Sequence, residues 1–266
     1  MADGRRGGGT EDRLGCYVIC TAPRSGSTLL CRMLRATGVA GAPDSHFHAP
    51  SLDGWLDAFG LGRTCFTSEA DALRAVLAAA LERGRDGGPI FGLRVQGHSL
   101  PHLSARLAQL GPDAADDVAR MEAAFGPTAF VHLTRRDRLG QAISRLVAEQ
   151  TGLWHRNADG SESERTAPPR PPRYDPDAIA ARMAEHAALD ARWLEWFGTH
   201  GVTPITLGYE ALANDPPAVL GGLLRALGLD ASRASSIRPP TLRLADAVSD
   251  EWRARFVAER GGTDLA

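Results

Sequence analysis

Thr21-Ala22-Pro23-Arg24-Ser25-Gly26-Ser27-Thr28-Leu29-Leu30 follows the apolar run of residues 17–20 and opens a segment, residues 29–34, of helical character. A buried strand that empties into a tight glycine loop, with small hydroxyl residues starting a helix, aims several free backbone N–H groups at one point. The positive end of the helix dipole faces the same way. The stretch therefore reads as an anion site, with Arg24, Ser25, Gly26, Ser27, Thr28 and Leu29 as the candidate phosphate-binding residues. The plainer alternative is that Ser27 and Thr28 only cap a helix. The common nucleotide loop, G-x-x-x-x-G-K-[ST], needs a lysine to reach the distal phosphates. This chain has no lysine at any position and its 30 basic residues are all arginine, which disfavours a Walker-type kinase or ATPase.

Outward from the loop, strand-like runs at residues 16–21, 90–95, 129–133 and 204–207 are separated by longer segments of helical spacing. That alternation predicts an α/β fold with a central, mainly parallel sheet flanked by helices. The helices are expected over residues 27–37, 69–83, 113–125, 138–150, 176–197, 216–227 and 250–260, two of them announced by Asp175-Pro176 and Asp215-Pro216. Residues 156–174, rich in Ser, Glu, Arg and Pro, are expected to form a flexible surface loop over an acceptor site. Residues 1–15 are expected to be a disordered tail, and residues 16–266 a single domain.

The chain has 266 residues, 43% of them hydrophobic, and a formal charge of −2, so nothing in its charge balance draws it to nucleic acid. Cys16, Cys20, Cys31 and Cys65 lack the paired spacing of zinc sites, and no metal is expected. The first 15 residues contain no apolar core of a secretory signal, and no apolar run is long enough to span a bilayer. The expectation is a cytoplasmic protein without a transmembrane segment.

The string Pro23-Arg24-Ser25-Gly26-Ser27-Thr28-Leu29-Leu30 resembles the 5′-phosphosulfate loop of sulfotransferases that use 3′-phosphoadenosine 5′-phosphosulfate (PAPS). Arg24 stands where many eukaryotic cytosolic members carry lysine. The likeness continues through residues 34–41 and is greatest to the bacterial carbohydrate sulfotransferases of the trehalose 2-sulfotransferase and lipopolysaccharide sulfotransferase kind. A second stretch, residues 129–137 followed by Gln141 to Ser144, is similar to the family's 3′-phosphate segment, which implies that Arg135 and Ser144 hold that phosphate. Arginine suits the task because its planar guanidinium donates two N–H bonds at once. An arginine paired with Asp137 on a solvated turn is the alternative.

Three further stretches are similar to the same family. Gln150-Thr151-Gly152-Leu153-Trp154 resembles a Q-T-x-x-W stretch, which makes Trp154 a candidate for the acceptor cleft or simply a core residue. Tyr209-Glu210 with Asp215-Pro216 reads as structural. Arg243, ahead of Ser249-Asp250-Glu251-Trp252, is a candidate for the nucleotide or a surface arginine. Arg94 stands where the family has a lysine after a central strand and is a candidate for the substrate side or a salt-bridged arginine at the edge of the core.

Relatives carry a G-x-P-x-E segment whose glutamate is the proposed base, whereas this chain reads Gly41-Ala42-Pro43-Asp44-Ser45 and continues His46-Phe47-His48. Serine is no base unaided, so His46 or His48 is the expected proton acceptor, since imidazole titrates near neutrality. In an extended stretch the two would share a face, so spacing does not choose between them. His98 is a further candidate.

The resemblance implies a P-loop-like three-layer fold, PAPS as co-substrate, a sugar or glycolipid hydroxyl as acceptor, PAP and a sulfate ester as products, and a homodimer as one possible assembly. A silent PAP- or PAPS-binding protein and a phosphotransferase with a degenerate loop are the alternatives.

Overall fold

The computed structural model describes residues 14–157, 159–239 and 247–261. Residues 1–13 of the expected tail, and Arg243, lie outside the described residues.

The strands among the described residues are β1 (Cys16–Thr21), β2 (Phe91–Gln96), β3 (Thr128–Thr134), β4 (Leu153–Arg156), β5 (Glu162–Arg165) and β6 (Ile205–Gly208). Apolar residues on both faces of a strand leave it no place but the middle of a sheet. In β1, Cys16, Val18 and Cys20 enter one core while Tyr17 and Ile19 enter the other. The sheet runs β2-β1-β3-β6 and all its pairings are parallel, in keeping with the alternation of strands and helices in the sequence. Thr21 is in register with both Gln96 and Leu133, so β1, β2 and β3 end level and their exits lie side by side.

The helices are α1 (Ser27–Ala36), α2 (Leu52–Phe59), α3 (Glu69–Arg85), α4 (Leu100–Leu110), α5 (Asp117–Phe125), α6 (Arg138–Thr151), α7 (Pro176–Thr199), α8 (Tyr209–Asn214), α9 (Pro216–Ala226) and α10 (Ala247–Arg260). One core packs α2, α3, α4, α5 and the end of α7 on one face of the sheet, and the other packs α1 and α9 on the opposite face. The result is three layers with β1 in the middle. A smaller apolar cluster joins α6, Ile179 of α7, and Trp252 and Phe256 of α10.

Helices α2, α4 and α8 were not expected, although α2 carries Leu52, Trp55 and Leu56 on one face behind a Ser51 cap that accepts from Gly54 N at 3.0 Å. Helix α5 begins four residues later than predicted because Asp116, not an earlier residue, accepts the N–H of Ala119 at 2.8 Å. β5 lies inside the stretch expected as a loop and pairs as an antiparallel hairpin with β4, which ends where that stretch begins. Their side chains are mostly exposed or half-buried, so no apolar pattern announced them. Among the described residues no helix is long and apolar enough to cross a membrane.

Candidate active site

The anion loop is built at the exit of β1. Arg24 adopts a left-handed backbone at φ 61°, and Gly26, the residue before α1, lies at φ 86°. These two residues turn the chain into α1, whose first N–H groups have no side-chain cap and, as at any helix start, no partner within the helix. Three contacts hold the loop from below. The Thr21 hydroxyl donates to the Leu133 carbonyl at 2.8 Å and pairs with the Ser25 hydroxyl, and the buried Gln141 amide donates to the Pro23 carbonyl at 2.7 Å.

Arg135, at the exit of β3, is brought to the same place. Its Nη1 donates to the Arg24 carbonyl at 3.3 Å, its Nη2 to Asp137 Oδ2 at 3.1 Å, and its guanidinium lies 4.5 Å from the centre of the Tyr209 ring. Asp137 in turn accepts from Arg253 Nη2 at 2.6 and 2.7 Å and caps α6 through Gly140 N at 2.9 Å. Burial pushes its carboxyl up, but Arg253, the Gly140 N–H and Arg135 outweigh this and hold it at about 2. Arg135 Nε is buried with no hydrogen-bond partner among the described residues. A buried guanidinium N–H left open in this way suits an anionic ligand.

The two halves of the site touch. Arg24 Nε donates to Ser144 Oγ at 3.1 Å and Arg24 Nη1 to the Trp154 carbonyl at 2.8 Å. Burial, then the charge of Arg135, lowers Arg24 to about 10, which leaves it cationic at neutral pH. On the far wall, Arg94 reaches Thr28 Oγ1 at 2.9 Å, Ser45 Oγ at 2.8 Å and Asp44 Oδ1 at 3.0 Å.

Arg24, Gly26, Ser27, Thr28, Leu29, Arg94, Arg135, Ser144, Trp154 and His48 all line one cavity of about 950 Å³. Five arginines line it (Arg24, Arg94, Arg135, Arg145 and Arg253) against the carboxylates of Glu164 and Asp250. Ser25 sits beneath the loop, 1% exposed, and supports it rather than facing the cavity.

The two candidate histidines part company. His46 turns into the core, 7% exposed, with its ring stacked 5.8 Å from Phe91 and its Nε2 buried without a partner among the described residues. Burial lowers its imidazole to about 4. The chain turns at 46–47 instead of staying extended, which is why the two rings do not share a face. His48 reaches the cavity, edge-on to His98 at 5.3 Å. Asp44 pairs with Arg94.

Sequence reasoning missed Tyr209, Arg253 and His155 as parts of this site. Tyr209 lies inside a motif read as structural, and Glu210 beside it accepts the N–H groups of Arg136 and Asp137 at 3.0 and 3.1 Å. Arg253 follows Trp252 directly, and only α10 folding over Asp137 reveals it.

The profile of the family described as Stf0 sulphotransferase matches residues 16–259. Trehalose 2-sulfotransferase of Mycobacterium tuberculosis is 30% identical over 265 residues, which cover 91% of this chain and 94% of the relative. Trehalose 2-sulfotransferase of Mycolicibacterium smegmatis is 30% identical over 282 residues, which cover 96% and 100%. Among solved structures, a sulfotransferase domain from the olefin synthase of Synechococcus is similar at 18% identity and a TM-score of 0.48, covering 92% of this chain and 90% of its own. The chain belongs to the Stf0 sulphotransferase family.

Proposed function

We propose that this Stf0 sulfotransferase moves a sulfuryl group from PAPS to a hydroxyl of a carbohydrate or glycolipid, giving PAP and a sulfate ester. The observation that carries the reading is the meeting of Arg24 and Arg135 over one cavity, with Ser144 on Arg24 and one N–H of Arg135 buried and open. A donor with an anionic group at each end needs two such cationic points. PAPS supplies the activated sulfuryl group. Arg24 and the free N–H groups at the start of α1 hold that end and stabilise the charge gathered on the departing phosphate. Their role is electrostatic, since an arginine that stays cationic at neutral pH gives up no proton readily. Arg135 and Ser144 hold the 3′-phosphate, and Leu29 borders the nucleotide.

Arg94 and Trp154 face the acceptor. His48 takes the proton of the attacking hydroxyl, because it lines the cavity and His46 does not. The carbohydrate class is that of the trehalose 2-sulfotransferases to which the chain is similar. Residues 16–266 acting as one domain, a homodimeric assembly and a cytoplasmic location belong to the same proposal; light scattering and cell fractionation test the last two.

The experiment is transfer of labelled sulfate from PAPS to a panel of sugars and glycolipids by the wild type, Arg24→Ala and Arg135→Ala, with PAP titrated against ADP. Transfer by the wild type, lost in both variants, and binding that needs the 3′-phosphate are expected. Activity indifferent to both substitutions would sink the assignment.

A further inference from the structure

The hairpin of β4 and β5 carries to the start of α1 one residue that the proposed function leaves without a role. His155 Nε2 lies 3.1 Å from Thr28 Oγ1 and 3.4 Å from Glu164 Oε2. Thr28 Oγ1 already accepts from Arg94 Nη1 at 2.9 Å, so its single hydroxyl proton is free to go to His155, which then accepts at Nε2. The hairpin is fastened in this position from both sides. Arg32 of α1 donates to Asn157 Oδ1 at 3.0 Å and to Ser163 Oγ at 3.1 Å, and Arg24 donates to the Trp154 carbonyl at 2.8 Å.

The charged groups that face the imidazole are Arg24 of the loop, Arg32 of α1, Arg94 of β2 and Glu164 of β5. Burial first, then the three arginines, push His155 down to about 3, so without a ligand it is neutral. An anion seated on the first turn of α1 reverses that field. It offsets the arginine charges and offers a negative partner within reach of Nε2, both of which favour the protonated ring.

We infer that His155 is a further ligand of the donor: as the anionic end of the donor settles at the start of α1, Nε2 takes a proton from solvent and turns from accepting the Thr28 hydroxyl to donating to that anion. Glu164 is then the counter-ion of the imidazolium. Thr28 keeps its own proton and donates to the ligand instead. The inference rests on the donor assignment made above, and it adds a cation that forms only when the donor is present, so that the hairpin closes harder over a loaded site than over an empty one.

The test is isothermal titration of PAP into the full chain at pH 6.5 in two buffers of different ionisation enthalpy, which gives the protons taken up per ligand bound. Wild type is compared with His155→Gln and with Glu164→Gln, whose parent carboxylate is half-exposed. If the imidazole returns to its ordinary range, the wild type takes up about half a proton more than His155→Gln. Loss of one charge-assisted contact weakens PAP binding in that variant about tenfold or more. Glu164→Gln shows an uptake and a PAP affinity between those of the wild type and His155→Gln. Equal proton uptake in wild type and His155→Gln, with both binding PAP, overturns the inference and leaves the donor assignment standing. A wild type that does not bind PAP overturns the donor assignment, and this inference with it.

Discussion

Gly26→Ala tests the way the loop is locked to the second half of the site. The backbone at Gly26 has φ 86° and ψ 10°, a left-handed conformation that costs a residue with a Cβ about 1–2 kcal/mol. The new methyl would also stand 2.5 Å from Tyr209 Cδ2 and 3.0 Å from Cε2, so the ring must retreat by about 1 Å to reach ordinary contact. That ring is not free to do so without loss. It carries the Arg135 guanidinium at 4.5 Å, a contact worth about 0.5–2 kcal/mol where it is partly desolvated. The substitution should therefore destabilise the protein by about 2–4 kcal/mol, and PAP affinity should fall as Arg135 loses its seat.

A double-mutant cycle separates the two parts. With Tyr209→Ala in the background, the clash is gone and only the backbone cost remains, so the two substitutions should couple by about 1 kcal/mol or more. The assays are urea midpoints and PAP titration for the wild type, both single variants and the double variant. Additive effects within experimental error would mean that the ring and the loop do not act on each other and that the locking argument is wrong.

Asp137→Asn should cost about 1–2 kcal/mol at pH 7, after allowance for a side chain that is 30% exposed. Because the folded carboxyl titrates at about 2, below its ordinary 3.8, the difference should be full above about pH 4 and shrink as pH falls through about 2. Urea midpoints from pH 2 to 7 measure it, and a gap that does not change with pH counts against the assigned contacts. His46 is buried and lowered to about 4, so the unfolded chain binds its proton first as pH drops below about 6.5, and stability falls between those values. His46→Leu should flatten that slope and leave sulfuryl transfer intact; loss of transfer at unchanged stability would restore His46 as the base. Gln141→Leu strips the Pro23 carbonyl of a buried bond and should cost about 1–3 kcal/mol, with a matching drop in PAP affinity. Unchanged melting and binding would show that the loop does not need this support.

What could be read from the sequence was whatever rests on period, punctuation or a local motif. The four strands of the sheet came from runs such as Tyr17 to Cys20, because a strand between two cores must be apolar on both faces. Arg24, Arg135 and Ser144 came from motifs next to strand exits, where parallel sheets bind ligands. The hairpin of β4 and β5 was missed because it is held by Arg32, Arg24 and Thr28 and by no core of its own, so its residues look like any polar loop. Arg253 was missed for a related reason. It is 116 residues from Asp137 along the chain, and it is the packing of Trp252 and Phe256 with Ile143 and Leu146 in one cluster that helps set α10 over the cavity. Motifs describe one segment at a time, and these contacts join segments.

The choice of base in the proposed mechanism leans on one such contact. Ser45, which the family resemblance sets at a glutamate position, has a hydroxyl that accepts from Arg94 Nε at 2.8 Å while Arg94 also engages Asp44 and Thr28. A carboxylate in that place would lie against a guanidinium, which holds a carboxyl well below its usual range and makes it a reluctant proton acceptor. An imidazole needs no such compromise near neutral pH. His48 and His98 meet edge-on at 5.3 Å, and burial followed by the charge of His48 lowers His98. Two imidazolium rings so close repel, so in the proposed mechanism a proton that His48 takes from the acceptor disfavours a second one on His98.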